Sequence, residues 1–500
     1  MSLIRKTSST GSYAYIDVND ETGTVTAQRD FPGVFPVYYT VTESGCFCGF
    51  SIEDVLQRSG ISRQNNPEAL GLYLTFSCLP GEHTFYKNVK KLMPGCRLEY
   101  KDNTLSVTQV SCMNTENKSA IDIHTATESI RTAVEEAVRK TPADAAFLSS
   151  GIDSSILSKL GNVTDTYTAD YGEEKFSEAD AAAAFSAEIG ASHHRLRIEC
   201  KDYFASLCEC SEHIEQPVGD CSYPVYYMLC KTAKNNGQTV FSGEGADEFF
   251  FGYPLQNYLM FGWYEKLPRK IRKTMLSAFG WIHPGLKKFL TFHDGDYYDG
   301  YRGPVTVFSE SEKESLLQEY HGDTALKALL DEMYDGIADL PLEERMFIFN
   351  IREWLEADIL TGATKLAAGA GLSVVMPFMD DKVIQTACRI PVKYQIYGGD
   401  TKHLLREAFK DVLPDGIVWG KKKGFPVPVS RWMRRKDVFE HIRSVLTSHE
   451  ADRFFKRDKV AYILDSYISA PEDNWTWRKI WLMYSYMIWA QTAGFINLQY

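Results

Sequence analysis

FLSSGIDSSIL, residues 147–157, crowds Ser149, Ser150, Gly151, Asp153, Ser154 and Ser155 between an apolar run and an amphipathic one. The preceding DAAFLSS reads as a short buried strand, and the following SSILSKL as the first turns of a helix. A strand, a tight polar loop and a helix start together make an anion site, because the first N–H groups of a helix lack partners and its dipole favours negative charge. Phosphate is the first ligand to consider. The loop lacks the Gly-Lys-Ser/Thr ending of a Walker A sequence, so ordinary γ-phosphate transfer is not what it suggests. Taken alone, the same stretch also reads as a capped helix with serines in a turn.

Working outward, helix and strand alternate from residue 121. A helix is expected over about 122–140. VTDTYTADYG is the next strand, SEADAAAAFSAEIG a helix with Ser177 as N-cap and Gly190 as stop, and HHRLRIEC a third strand. Helical patterns follow over about 202–236. QTVFSGEGADEFFFGYP then supplies a fourth strand ending in a second glycine-rich, acidic loop. Alternation at this spacing implies a parallel sheet, whose ligands sit beyond the strand C-terminal ends. Both unusual loops lie at such ends, so one shared site is expected. Asp153 and Asp247 stand in the two loops beside glycine, where a triphosphate would need Mg2+ held by one or two carboxylates.

Before residue 112 the pattern alternates in β fashion, with SYAYIDV, TVTAQ, VYYTVT, CRLEYKD and TLSVTQV separated by turn signals. This is a small, mainly antiparallel unit, and the polar SCMNTENKSA (111–120) is its linker. Residues from about 255 to 500 read as almost wholly helical. KIWLMYSYMIWA is a buried helix, well short of the roughly 18 apolar residues that span a bilayer, and the acidic DGDYYDG (294–300) is a solvated turn.

Composition agrees with a multidomain globular chain. The 500 residues are 44% hydrophobic and 24% charged, with net charge −12, so neither nucleic acid nor a membrane is an expected partner. The start MSLIRKTSSTGSYAY has no apolar signal core, and eleven cysteines without a signal peptide suggest reduced thiols in the cytoplasm. Cys208 and Cys210 form a C-x-C pair that a helix would point to different sides, and Cys46 and Cys48 form another. Both pairs read as buried small hydrophobes rather than metal ligands.

SSGIDSS resembles the S-G-G-x-D-S-S loop of the ATP-pyrophosphatase (PP-loop) superfamily. FSGEGADEFFFGYP is similar to the S-G-E-G-x-D-E-x-F-G-G-Y segment of asparagine synthetases. EQPVGDCSYPVYYM, VVMPFMD, TKHLLREAF and LPDGIVWGKKKGFPVPVSRW resemble further stretches of that family in the same order. The resemblance implies an α/β fold: a PP-loop synthetase domain with a parallel sheet of the adenine nucleotide alpha hydrolase type and a helical C-terminal part, over 120–500. It also implies a two-step reaction. ATP adenylates a carboxylate with release of pyrophosphate, and a nitrogen nucleophile then forms the amide. On this reading backbone N–H groups from Ser150 to Ser155 hold the pyrophosphate, with Mg2+ on Asp153 and Asp247. Leu148, Ser149, Gly151, Ser154, Ala169, Ser242 and Gly243 would lie around ATP. Glu244 would take a proton from the attacking amine, and Lys402 and Lys422 would stabilise negative charge on the transferring groups.

The chain also departs from the family's pattern. Ser150 replaces a loop glycine, which a left-handed backbone there would penalise. D-R-x-S-M reads TKLAA (364–368) and L-E-x-R-x-P-F reads LSVVMPF (372–378), so several charged positions expected near the acceptor are neutral. RDFPGVFPVYY and LPGEHTFYKNVKKLMPGCRLEY resemble only the second half of the family's N-terminal-nucleophile (Ntn) glutaminase domain. Ser2 stands where the catalytic cysteine is expected. Residues 1–115 are therefore expected to be a truncated, small, mainly β Ntn-hydrolase-like domain without glutaminase activity.

The leading expectation is an asparagine-synthetase-like carboxylate–amine ligase acting on a small-molecule or peptide carboxylate. Its nitrogen would be ammonia, a substrate amine or nitrogen supplied by a partner, with a homodimer among the expected assemblies. Ring-closing relatives, the β-lactam synthetases and lasso-peptide cyclases, are an alternative, although the former carry tyrosine where Glu244 stands. A non-catalytic nucleotide-binding descendant is a third reading, against which Asp153, Glu244 and Asp247 together weigh.

Overall fold

The computed structural model describes residues 2–113, 121–173, 175–237, 239–253, 267–279, 307–322, 324–397, 400–420, 424–470 and 475–498. The DGDYYDG turn and Lys422, with its neighbours Lys421 and Lys423, lie outside the described residues.

The N-terminal region builds two antiparallel sheets. Strands β1 (Ser2–Thr7), β2 (Tyr13–Asn19), β3 (Thr24–Arg29), β7 (Cys96–Lys101) and β8 (Thr104–Gln109) form one, in the order β1-β2-β3-β7-β8. Strands β4 (Tyr38–Thr42), β5 (Gly45–Gly49) and β6 (Lys90–Lys91) form the other. Alternation in β2 and β3 turns Ala14, Ile16, Val25 and Ala27 to one face, where they pack with Val37, Tyr39, Cys46 and Cys48 in a small core. Two helices, Ile52–Ser59 and Pro67–Phe76, were not expected from the β-rich texture. The second buries Leu70, Tyr73 and Phe76 in the main core, and Tyr73 exchanges a 2.8 Å hydrogen bond with Ser485. The N-terminal region is thus fused to the rest through a common apolar interior.

The third sheet is all parallel. Strands β9 (Ala145–Phe147), β10 (Asp165–Asp170), β11 (Ser192–Arg197), β12 (Thr239–Phe241) and β13 (Ser373–Val375) run in the order β11-β10-β9-β12-β13. The order reverses between β9 and β12, so the loops after these two strands flank a topological switch point, where ligands of such sheets bind. Beyond residue 255 the described elements are helical, as expected, apart from strand β13. Three residues carry too little periodicity to mark a strand.

Helix Ile123–Lys140 starts at Asp122, whose carboxylate accepts from Thr125 N at 3.0 Å. The helix after β10 begins at Ala179 with Glu178 in the cap position, one residue later than expected, although Ser177 still accepts from Ala179 N at 3.2 Å. Helix Thr476–Thr492 buries Ile480 to Ala490 in the core, as the apolar run requires. Among the described residues no helix is long and apolar enough to cross a membrane. Cys210, Cys46 and Cys48 are buried while Cys208 is exposed, and no group of three potential metal ligands occurs among the described residues.

Candidate active site

The loop after β9 is shaped by its serines. Ser149 N donates to Ser154 Oγ at 3.1 Å, and Gly151 N donates to Ser149 Oγ at 3.0 Å. Helix Ile152–Leu160 has Gly151 in the cap position with no side-chain cap. The first-turn N–H groups of Ile152, Asp153 and Ser154 therefore have no acceptor within the helix and are available to an anion. Ser155 differs from expectation. Its N–H and its hydroxyl both donate to Gly151 O, at 3.3 and 2.9 Å, so it is turned into the helix and away from the cradle. Ser150 does not take a left-handed backbone, so serine in place of glycine carries no conformational penalty. Its hydroxyl instead donates to Glu178, a residue the sequence did not single out.

The loop after β12 approaches the first one closely. Ser242 N donates to Val375 O at 2.9 Å, so β13 anchors its start. A Cβ on Gly243 would stand 3.3 Å from Cβ of Asp153. Gly245 has φ +91°, and a Cβ there would meet Met379 Sδ at 2.5 Å. At Gly252 a Cβ would overlap Asp247 Oδ1 at 1.6 Å and Lys402 Cε at 2.3 Å, so only glycine lets the chain pass. Leu148, just past β9, donates its N–H to Tyr167 O at 2.9 Å and continues the register opposite Thr168, one residue before Ala169; Leu148 and Ala169 are both buried.

Lys402 joins the two loops. Its ammonium is paired with Asp153 and with Asp247 Oδ1, the latter at 2.6 Å, and only 3% of its side chain is exposed. Its backbone is left-handed, φ +57°, which is uncommon for a non-glycine residue and concentrates at functional positions. Burial opposes its charge, but Asp153 and Asp247 outweigh burial and hold the ammonium above the usual lysine range. Asp153 Oδ1 is buried with no hydrogen-bond partner among the described residues, leaving a carboxylate oxygen available to a hard cation. The donor set of Asp153 and Asp247 therefore fits Mg2+.

Glu244 accepts from Ser242 Oγ at 3.1 Å. Burial, followed by the neighbouring Glu248, pushes its carboxyl up to about 8, with Asp247 and Asp220 adding and the Ser242 hydrogen bond opposing. Burial thus favours its neutral form near neutral pH, and its ionised form can act as a base. Beyond it, Tyr253 donates to Glu248, and Trp354 Nε1 donates to Tyr253 Oη at 3.0 Å. Glu178, Glu248, Tyr253 and Trp354 were missed. Trp354 and Glu178 meet the site only through long-range packing, and the sequence carries no local signal for that.

A strand–loop–helix turn and an Asp–Lys–Asp cluster at the switch point of a parallel sheet give this part of the chain the fold of a PP-loop synthetase domain. The family model for asparagine synthase matches residues 125–491, and that for a glutamine amidotransferase domain matches residues 5–110. The chain belongs to the asparagine synthase family, whose members are ATP-dependent amide-forming ligases. It is 27% identical to the glutamine-hydrolysing asparagine synthetase 1 of Bacillus subtilis (strain 168), over 96% of this chain and 77% of the relative. Against a putative glutamine-hydrolysing asparagine synthetase of Mycobacterium tuberculosis (strain ATCC 25618 / H37Rv) the identity is 26%, over 96% and 76%. It is 24% identical to the enzyme of Gallus gallus, over 83% and 63%.

Proposed function

We propose that this chain adenylates a carboxylate with ATP, releasing pyrophosphate, and passes the acyl group to a nitrogen nucleophile. The observation that carries the proposal is Lys402 bridging Asp153 and Asp247 across the two loops of the switch point. N–H groups of Ile152, Asp153 and Ser154 hold the pyrophosphate, with Leu148, Ser149, Ser150, Gly151, Ala169, Ser242 and Gly243 around the nucleotide. Asp153 and Asp247 hold Mg2+, which neutralises triphosphate charge when bound. Lys402 stabilises charge developing on the phosphoryl group, and Lys422 is proposed to join it from outside the described residues. Glu244 accepts the proton of the attacking amine.

Free aspartate is not the proposed acceptor. Thr364, Ser373 and Val375 are neutral where the family carries charge. Lys365 is already held by Glu215 at 2.6 Å and by Phe50 O at 3.0 Å. A carboxylate with fewer charges, including one on a peptide, suits this surface better. The products are expected to be AMP and pyrophosphate. Assay of a carboxylate panel with MgATP tests this, and stoichiometric ADP would refute the proposal.

The nitrogen is proposed to come from ammonia or a substrate amine. We assign residues 1–115 to a glutaminase-like domain without glutaminase activity. Its Cys48 and Cys78 are buried; the contact with Cys46, then burial, raises the Cys48 thiol, and burial raises that of Cys78, so neither is a ready nucleophile. Glutamine alone is therefore expected to give no product and no glutamate. Glutamate release that survives purification and disappears in Ser2→Ala would show a live glutaminase.

A further inference from the structure

The helix beginning at Leu342 and ending at Ala370 is interrupted over Ile351–Leu360 by a π-helical segment. A run this long closing i→i+5 bonds is rare, and it persists only where tertiary contacts hold it. Two such contacts lie two residues apart and reach in different directions. Glu356 accepts from Arg29 Nη2 at 2.9 Å and from Lys91 Nζ at 2.5 Å, both from the N-terminal sheets, and all three side chains are at most 4% exposed. Arg29 is itself fixed by the carbonyl oxygens of Gly33, at 2.7 Å, Phe35, at 2.8 Å, and Leu92. Trp354 instead reaches Tyr253, and through its hydroxyl Glu248, the residue next to Asp247. The buried ion contacts of Glu356 and the part-buried Trp354–Tyr253–Glu248 hydrogen bonds thus leave one π-helical segment two residues apart, and its backbone connects the N-terminal region to the segment that carries Asp247.

We propose that Glu356 and Trp354 are positioning residues of the synthetase site. Arg29 and Lys91 set the π-helical segment, and the segment sets Tyr253, Glu248 and the Asp247 loop. The N-terminal domain then serves the ligase without hydrolysing anything. Buried ion groups are seldom better for stability than apolar residues of the same volume, so the value of this one lies in geometry. The inference rests on the reading of Asp153 and Asp247 as the metal-holding pair.

Trp354→Phe keeps an aromatic body and removes only the N–H. It is expected to lower kcat for pyrophosphate–ATP exchange about tenfold, with KM for ATP changed by less than about twofold, since small misplacements of reacting groups are costly. Mn2+ affinity of the nucleotide-free protein, read by EPR, is expected to fall several-fold in parallel, with the thermal midpoint unchanged. Tyr253→Phe should give the same loss, and the double variant no more than either alone, because both cut one series of contacts. Unchanged kcat, unchanged Mn2+ affinity or additive losses would overturn the proposal. The remote end is tested by Glu356→Gln and, because that change strands two cations, by the charge-free Arg29→Met/Lys91→Met/Glu356→Leu. Wild-type kcat in either folded variant would overturn the role of the ion group. Asp153→Asn is run alongside. If it matches wild type in exchange and Mn2+ binding, the adenylation reading fails. If it alone is inactive while Trp354→Phe matches wild type, the positioning inference fails.

Discussion

Lys402→Met lowers pyrophosphate–ATP exchange by about 10²–10³-fold, the usual cost of removing one preorganised electrostatic contact at a reacting centre. In the nucleotide-free protein the same change tightens binding of a divalent cation. Both effects come from one arrangement. The ammonium lies between Asp153 and Asp247 Oδ1, almost wholly buried, and balances two carboxylates on separate loops. Methionine keeps the length and loses the charge, leaving two like charges face to face. A divalent ion relieves that repulsion, so Mn2+ measured by EPR binds more tightly. The catalytic step, however, loses the cation that meets charge developing on the phosphoryl oxygens. Wild-type exchange, or Mn2+ affinity that falls together with exchange, would refute this account. Asp153→Asn and Asp247→Asn lose exchange and Mn2+ binding together while keeping the fold. Their side chains are 17% and 27% exposed in the first turns of their helices, so neither substitution opens the core.

Glu244→Gln separates the two half-reactions. Amide formation falls by about 10²–10⁴-fold, the range for loss of a positioned general base. Exchange of labelled pyrophosphate into ATP continues, because adenylation needs no proton acceptor at that point. Equal loss of both half-reactions would refute the division of roles. The pH dependence follows from the same carboxyl, which burial and Glu248 raise to about 8. The base is the ionised form, so the wild-type rate of acyl transfer climbs from neutral pH and levels off above about 8, whereas the Gln variant stays low and flat. Lys402 stays charged throughout this window, since its partners hold its ammonium above the ordinary range. Stability changes in the opposite sense. An unfolded glutamate ionises near the ordinary value of about 4.3 and the folded one near 8, so between these limits the folded state binds more protons and is destabilised as pH rises. Glu244→Gln removes that penalty. Thermal midpoints of variant and wild type should converge near pH 4 and differ most at and above pH 8, with the variant higher, where pH values mark the window set by the two ionisations. A constant difference at all pH values would show that Glu244 is not the titrating group.

By itself the sequence determined the class of fold and the position of the two loops. Alternation of period two and period 3.6 is a local property, so β2, β3, β10 and the helices Ile123–Lys140 and Thr476–Thr492 could be read from short windows. Loop chemistry is local too: a serine-rich strand-to-helix turn and a glycine-acid turn pointed to Asp153 and Asp247, and the resemblance to asparagine synthetases added Glu244. The tertiary structure alone decided what these groups face. Lys402 meets Asp153 across 249 residues, and no window holds both. β13 is three residues long, too short for periodicity, yet its pairing with β12 anchors Ser242. Ser155 satisfied the motif, but its N–H and hydroxyl both donate to Gly151 O, as its place in the first turn of the helix dictates. The ion group of Arg29, Lys91 and Glu356 has no signature at all. Isolated charged residues read as solvated until folding removes the water around them, and only a partner from another part of the chain makes that burial tolerable.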